Sequence, residues 1–136
     1  MFEILEHTAD IGFRARAQTA AALFEEAAAA LVSIAFELED IAPRLAYPIA
    51  ASGEDRESLL VNWLSEVLYW MDGSRIMMRR FQVGQLTETS VAGQGWGEPQ
   101  DAGRHRARLI VKGVTYHQLK VEQDAEGWYA EVYLDV

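Results

Sequence analysis

A short polar segment near the start of the chain holds the densest set of side chains that could do chemistry. Two carboxylates, an imidazole and a hydroxyl lie within five positions, at Glu6, His7, Thr8 and Asp10. The segment leads into the alternating run 11–17, which is typical of a strand. A polar loop that enters a strand presents its side chains from a rigid scaffold. An ordinary turn, in which Thr8 and Asp10 only bond neighbouring amides, would use the same residues.

A second group of oxygen donors closes the sequence. Asp135 has a side-chain carboxylate, and Val136 would carry the terminal α-carboxylate beside it. Together with Asp10 they would form three anionic ligands, and an all-oxygen set favours calcium or magnesium over zinc. A bound cation would also relieve the repulsion between the carboxylates. This hypothesis requires the two ends of the chain to converge; otherwise Asp135 and Val136 form a solvated terminus.

A third polar concentration covers residues 112–117. Lys112 has Ile110 and Val114 as neighbours on one face of a predicted strand, where an ammonium group needs a carboxylate or a binding partner. The alternative is a lysine that snorkels to water beside a turn. Three histidines could serve as metal ligands or bases, although none has the spacing of a helical zinc site: His7, His105 and His117.

Length and composition restrict the class of protein. The 136 residues predict one domain over 1–136, and the lack of cysteine argues against a disulfide framework or a thiolate metal cluster. The formal charge of −9 argues against tight nucleic-acid binding, because displacing counterions from phosphates needs lysine and arginine. The opening residues leave no room for a signal peptide, and no apolar run reaches the roughly 18 residues of a membrane span. We therefore expect a cytoplasmic protein without a membrane segment.

Hydrophobic periodicity predicts two helices. Thr19 is a candidate N-cap for the first, which would run to about Phe36. Asp55 is a candidate N-cap for the second, which would end at Asp72-Gly73 with a left-handed glycine. Their apolar positions repeat at helical spacing and should face the core: Leu23, Ala27, Leu31 and Ile34 in the first helix, and Leu60, Trp63, Leu64, Val67, Leu68 and Met71 in the second.

The remaining patterned segments predict strands. They cover 2–5, 11–17, 45–49, 81–83, 86–91, 106–116, 118–121 and 128–134. Pro48 indicates an edge strand, and the glycine-rich run 93–99 predicts a mobile loop. In the last strand Tyr129, Glu131 and Tyr133 should face outward. These elements indicate an α+β fold, in which two helices pack on one face of a sheet of antiparallel or mixed strands.

Several segments together resemble the archease family. The resemblance extends from the first predicted strand to the last residue, in the same order and over a similar length. It rests on 7–12 (His-Thr-Ala-Asp-Ile-Gly), Leu59-Leu60 and Trp63-Leu64 with Asp72-Gly73, Trp96-Gly97-Glu98, 111–117 (Val-Lys-Gly-Val-Thr-Tyr-His) and Asp135-Val136. The chain departs from the family at Ile110, where an acidic residue is common, and in the loosely matched loop 98–105.

The resemblance implies an accessory protein, not an enzyme. Its partner would be the GTP-dependent RNA-splicing ligase of tRNA splicing and RNA repair, and it would promote guanylylation and multiple turnovers of that ligase. The family's metal ligands fall on Asp10, Asp135 and Val136, with calcium as the ion and magnesium or manganese as alternatives. Its functional positions fall on Asp10, Lys112 and Asp135, with His7 in the same motif.

Two other functions would use the same features. A chaperone-like module for nucleic-acid enzymes would bind unrelated clients through an exposed apolar patch. A metal-dependent hydrolase would take Asp10 and Asp135 as ligands and His7 or His117 as its base. We rank the activator first, the chaperone second and the hydrolase third.

Overall fold

The structure is a computed structural model that describes residues 1–6 and 11–136, apart from the side chain of Glu6. Over this part of the chain it has seven strands and two α-helices. The strands are β1 (Phe2–Glu6), β2 (Ile11–Ala17), β3 (Leu45–Ser52), β4 (Ile76–Leu86), β5 (Ser90–Pro99), β6 (Gly113–Asp124) and β7 (Gly127–Asp135). The helices are α1 (Ala20–Ala35) and α2 (Arg56–Leu68), with a 3₁₀ turn at Leu38–Asp40 and a π-helical turn at Tyr69–Gly73.

The strands form two antiparallel sheets that share the helices. One sheet has four strands in the order β1-β2-β7-β6, and the other has three in the order β3-β5-β4. Helix α1 contacts β2 and β4, whereas α2 contacts β3 and β6, so each helix packs on both sheets. The predicted α+β class is confirmed, and β3 with its Pro48 is an edge strand as expected.

Both helices begin at the predicted caps. The Thr19 hydroxyl accepts a hydrogen bond from the Ala22 N–H at 3.1 Å. The Asp55 carboxylate accepts one from the Ser58 N–H at 2.7 Å, and the Ser58 hydroxyl accepts one from the Asp55 N–H at 3.1 Å, which completes a capping box. These bonds satisfy N–H groups that the first helical turn leaves without partners.

The second helical segment ends at Gly73 as predicted, but the predicted left-handed glycine is wrong. Helix α2 stops at Leu68, and the chain continues in a wider turn in which the Ser74 N–H bonds the Tyr69 carbonyl at 3.0 Å. Because this longer-range bond closes the turn, Gly73 does not adopt the left-handed conformation. That conformation falls on Arg75 instead, whose φ is 57°.

The predicted apolar stripes form the core. All ten of the residues named for the two helices are buried, and Trp63 lies completely inside. Its indole N–H donates to the Phe24 carbonyl at 3.0 Å, which satisfies the one polar atom of the ring. The two rings lie 6.3 Å apart at their centroids. This contact joins the two helices directly.

The glycine-rich run 93–99 is part of a central strand, so the predicted mobile loop is wrong. It lies in β5, between β3 and β4. A Cβ atom at Gly93 would overlap the Gln82 carbonyl oxygen, and one at Gly97 would overlap the Met77 carbonyl group. Glycine is used here because the neighbouring strand approaches too closely for any side chain.

The predicted strand over 106–116 is also wrong over most of its length. Residues 100–112 form an irregular segment, and β6 begins only at Gly113. The Arg108 guanidinium donates to the carbonyl oxygens of Ser33 and Phe36 at 2.6 and 2.8 Å. These carbonyls end helix α1 and need donors, so the segment leaves the sheet to cap the helix.

Gly97→Ala should lower the free energy of unfolding by about 2–3 kcal/mol, because the added methyl group pushes apart two paired strands. Gly113→Ala is the matched control, since nothing lies within 4 Å of the Cβ position there. Urea unfolding monitored by tryptophan fluorescence measures both variants. Equal stability of the two variants would contradict this account of the glycines in β5.

Candidate functional site at the end of β7

Strand β7 brings three separate parts of the chain together at its C-terminal end. On one side Leu134 pairs with Ile11 of β2. On the other side Asp135 pairs with Gly113 of β6, and the Lys112 N–H donates to the Asp135 carbonyl oxygen at 2.7 Å. Ile11, which follows the first polar segment in the sequence, and Lys112 therefore both lie at the end of β7, near the last residues of the chain.

Lys112 and Asp135 are both exposed at this end of the sheet. Within the part of the chain that the structure describes, neither side chain forms an ion pair. The predicted strand face that would hold Lys112 between Ile110 and Val114 does not exist, because Ile110 and Lys112 precede β6. The side chain of Val136 packs against the core.

His7 and Asp10 lie outside the described residues, so their roles stay predictions. Within residues 1–6 and 11–136, no three histidine, aspartate or glutamate side chains gather closely enough to hold a metal ion. Of the predicted ligand side chains, the described residues contribute only the carboxylate of Asp135. Its hard oxygen atoms suit calcium, magnesium or manganese.

Two large exposed side chains, Ile110 and Tyr116, flank Lys112 in the sequence, and we call them the apolar rim. Ile110 is 69% exposed and Tyr116 is 59% exposed. Tyr116 lies in a bulge of β6, where regular pairing with β7 lapses between Thr115 and Lys120. Gln118 in the same bulge has a φ of 54°. A non-glycine residue in that region costs on the order of 1 kcal/mol, and such strain is concentrated at functional sites.

The predicted outward-facing residues of β7 lie on the side away from the core, but two of the three are covered by other side chains. Glu131 and Tyr133 are only 7% and 4% exposed. The Glu131 carboxylate accepts hydrogen bonds from Arg14 Nε at 3.0 Å, the Tyr129 hydroxyl at 2.8 Å and the Tyr133 hydroxyl at 3.1 Å. Burial opposes ionisation, but these hydrogen bonds outweigh it and lower the pKa of Glu131. The His117 ring packs edge-on against Tyr133, with centroids 6.4 Å apart.

A second buried carboxylate, Glu98, holds the segment that leads to Lys112. It accepts hydrogen bonds from Arg104 at 2.9 Å and from the Ala42 N–H at 2.8 Å. The His105 ring lies 2.9 Å away through Nε2, and His105 Nδ1 accepts from the Asp101 N–H at 2.9 Å. The Nε2 atom therefore carries the hydrogen and donates a hydrogen bond to the carboxylate. Both ring nitrogens are engaged, so His105 has a structural role.

Sequence reasoning missed both carboxylate clusters. The alternation in β7 assigns Glu131 to the outer face of the sheet, but it does not reveal that tyrosines and Arg14 cover that face. The glycine-rich composition around Glu98 predicts a loop. It therefore does not reveal that Glu98 lies at the end of a central strand. A carboxylate followed within seven residues by Arg104 and His105 was the one local signal of a buried charge cluster.

Comparison with known proteins identifies relatives over the whole chain. The family model described as "Archease protein family (MTH1598/TM1083)" matches residues 2–136. The protein archease of Methanosarcina barkeri is 37% identical over 139 residues, covering 99% of this chain and 95% of its own. That of Methanopyrus kandleri is 37% identical, with 99% of each chain covered. The solution structure of Methanobacterium thermoautotrophicum protein 1598 superimposes with a TM-score of 0.85 at 30% identity, covering 99% of this chain and 98% of that one.

The chain belongs to the archease family. Membership of this family supports an accessory role in RNA processing and an association with RNA-processing proteins. Within the described residues, no helix is long and apolar enough to cross a membrane.

The buried Glu98 should make stability depend on pH. Hydrogen bonds from Arg104, the Ala42 N–H and His105 lower the pKa of Glu98 from 4.5 to about 2. A carboxylate whose pKa is lower in the folded state stabilises the fold fully above its unfolded pKa, and this contribution is lost as the pH falls from about 4.5 towards 2.

Glu98→Gln should lower the free energy of unfolding at pH 7 by about 2 kcal/mol, because charge-assisted hydrogen bonds are removed from a buried site. It should also flatten the loss of stability between pH 4.5 and about 2. Urea unfolding across this pH range measures both effects, with the exposed Glu66→Gln as control. A Glu98→Gln profile parallel to wild type would refute this role for the carboxylate.

Proposed function

We propose that the chain activates a GTP-dependent RNA-splicing ligase by promoting guanylylation of the ligase and its repeated turnover. The observation that carries this proposal is the pairing at the end of β7, which sets Lys112 beside Asp135. Membership of the archease family supplies the link to RNA processing. An ammonium group and a carboxylate on one exposed surface suit contact with the charged groups of a nucleotidyl-transfer site.

The cation site would consist of Asp10, Asp135 and the α-carboxylate of Val136. Asp10 precedes Ile11 in the sequence, and Ile11 pairs with Leu134 near the end of β7. Calcium, or magnesium or manganese in its place, would neutralise these carboxylates and supply positive charge that stabilises phosphate oxygens.

The apolar rim would provide the docking contacts. Ile110 and Tyr116 are exposed on either side of Lys112 in the sequence, and large apolar or aromatic side chains often anchor protein interfaces. The charge of −9 would favour a basic surface on the partner, which is the usual character of a protein that binds RNA. Lys112 and Asp135 would then lie inside the contact, next to the apolar anchors.

The same exposed apolar residues favour the chaperone-like function as the second candidate. A chaperone would bind unrelated unfolded clients through Ile110 and Tyr116, and added salt would change that binding little. A specific contact guided by charge would weaken as salt rises. The salt dependence of the effect on the ligase therefore separates the two functions.

Activation is tested with a purified ligase, labelled GTP and a sub-stoichiometric amount of this protein. Wild type should accelerate guanylylation over repeated turnovers. The stimulation should be at least about tenfold smaller with Asp10→Ala, Lys112→Ala or Asp135→Ala, which corresponds to about 1.4 kcal/mol in activation free energy. Arg106→Ala, an exposed change outside the proposed contact, is the control. No stimulation of a cognate, active ligase by wild type would refute the activator function.

Calcium binding is tested separately by calorimetry and by the melting temperature. Calcium at about 100 times its Kd should stabilise wild type by about 2.7 kcal/mol. Asp135→Asn should abolish this calcium-dependent stabilisation. Without calcium its melting temperature should equal that of wild type, since Asp135 is exposed and unpaired among the described residues. The exposed Asp72→Asn is the control. Calcium-dependent stabilisation that survives in Asp135→Asn would place the cation elsewhere.

A further inference from the structure

The three-stranded sheet has a charge unlike that of the rest of the chain. The protein contains 21 aspartate and glutamate residues. Strands β3, β4 and β5 carry only one of them, Glu98, which is buried and paired with Arg104. The other charged residues of these strands are Arg79 and Arg80, both exposed. In a chain with a charge of −9, this sheet therefore has a positive outer surface.

Among the described residues, the two arginines have no acidic partner. Within the described part of the chain, neither Arg79 nor Arg80 lies within 4.0 Å of a carboxylate oxygen. The Arg79 guanidinium donates to the Ile41 carbonyl at 3.5 Å. The register of β4 shifts between Met78 and Arg80. This irregularity explains why two adjacent residues of one strand both lie on the exposed side.

Arg80 is stacked on an aromatic ring. Its guanidinium carbon lies 4.6 Å from the ring centroid of Trp96, which is its cross-strand partner in β5. Two residues along each strand, Gln82 and Gln94 form the next cross-strand pair, and both are exposed. Residues two apart on a strand share a face. The surface thus presents an indole, two guanidinium groups and two amides together.

Exposed residues without charge continue this surface onto β3. On the other side of β5, the partners of Trp96 and Gln94 are Ala46 and Pro48, which are exposed and have small side chains. A sheet surface with a partly exposed aromatic ring and neighbouring arginines matches how proteins hold unpaired nucleotides. Bases stack on aromatic rings and guanidinium planes, and arginines pair with phosphates.

We propose that the surface formed by Arg79, Arg80 and Trp96 binds single-stranded RNA without sequence preference. It belongs to the three-stranded sheet, whereas the proposed ligase-activating site belongs to the four-stranded one. An acidic protein surface would pair with the arginines but leave Trp96 and the two glutamine amides without a partner. Because the whole chain is acidic, its affinity for RNA alone is weak. The contact adds to the affinity of a ligase that already binds the RNA. In this respect only, the inference rests on the proposed function.

Direct binding is measured by fluorescence anisotropy with a labelled oligouridine of about 12 nucleotides at low salt. Arg79→Gln with Arg80→Gln should weaken binding at least about fivefold and reduce the slope of log K against log salt by about 1.4, or about 0.7 for each phosphate that is no longer neutralised. Arg75→Gln with Arg106→Gln changes the net charge equally at other exposed positions, so it should weaken binding less than about twofold. Equal effects of the two double variants, or no binding by wild type, would overturn the proposal.

The stacking contribution has its own test. Trp96→Leu should weaken binding of the oligouridine at least about threefold but leave binding of an abasic oligomer of the same length unchanged. Displacement of the oligouridine by polyglutamate at an equal concentration of charge would instead identify a surface for acidic proteins and overturn the proposal. Guanylylation of the ligase without RNA should be normal in the Arg79 and Arg80 variants. A failure of this inference is thereby distinguishable from a failure of the proposed activation.

Discussion

The double pairing of β7 is the constraint on which the rest of the structure depends. This strand hydrogen-bonds to β2 on one side and to β6 on the other. Its pairs with Ile11 and Gly113 join the start of the chain, the segment before β6 and the end of the chain in one place. None of these parts is close to another in sequence, so the exposed pair Lys112 and Asp135 exists only in the folded sheet.

Two buried carboxylates support that arrangement from different directions. Glu131 fixes the covered face of β7 through Arg14 and two tyrosine hydroxyls. Glu98 fixes the irregular segment before Lys112 to the end of β5. Removing either charge would take a carboxylate acceptor away from a buried donor, Tyr133 in one case and His105 in the other, which costs more than the loss of a surface ion pair. The acidic composition of the chain therefore includes structural carboxylates as well as candidate functional ones.

The sequence predicted what depends on local pattern. The caps at Thr19 and Asp55 and the apolar stripes of both helices follow from short-range spacing, and all are confirmed. It failed where distant contacts decide the structure. The glycines at 93, 95 and 97 indicate a loop by composition. They lie instead in the central strand of a sheet, where β4 approaches closely. Residues 106–112 alternate like a strand, but Arg108 is drawn away to cap α1.

The candidate site likewise combines residues that the sequence predicts with contacts that only the folded structure reveals. Asp135 and Lys112 were identified from residue type and from the family resemblance, and strand register brings their backbones together. The apolar rim could not be predicted, because Tyr116 is exposed by a bulge centred on Gln118 that no sequence pattern marks. Likewise, the stacking of Arg80 on Trp96 joins residues of different strands. Side chains distant in sequence become a surface only through register.

The central claim is that the end of β7 is the surface that contacts the ligase. Hydrogen–deuterium exchange of this protein, free and with an excess of purified ligase, tests that claim most directly. The account predicts slower exchange in peptides covering 108–117 and 131–136 and unchanged exchange in α2. Protection confined to other parts of the chain, with these two segments unaffected, would contradict it.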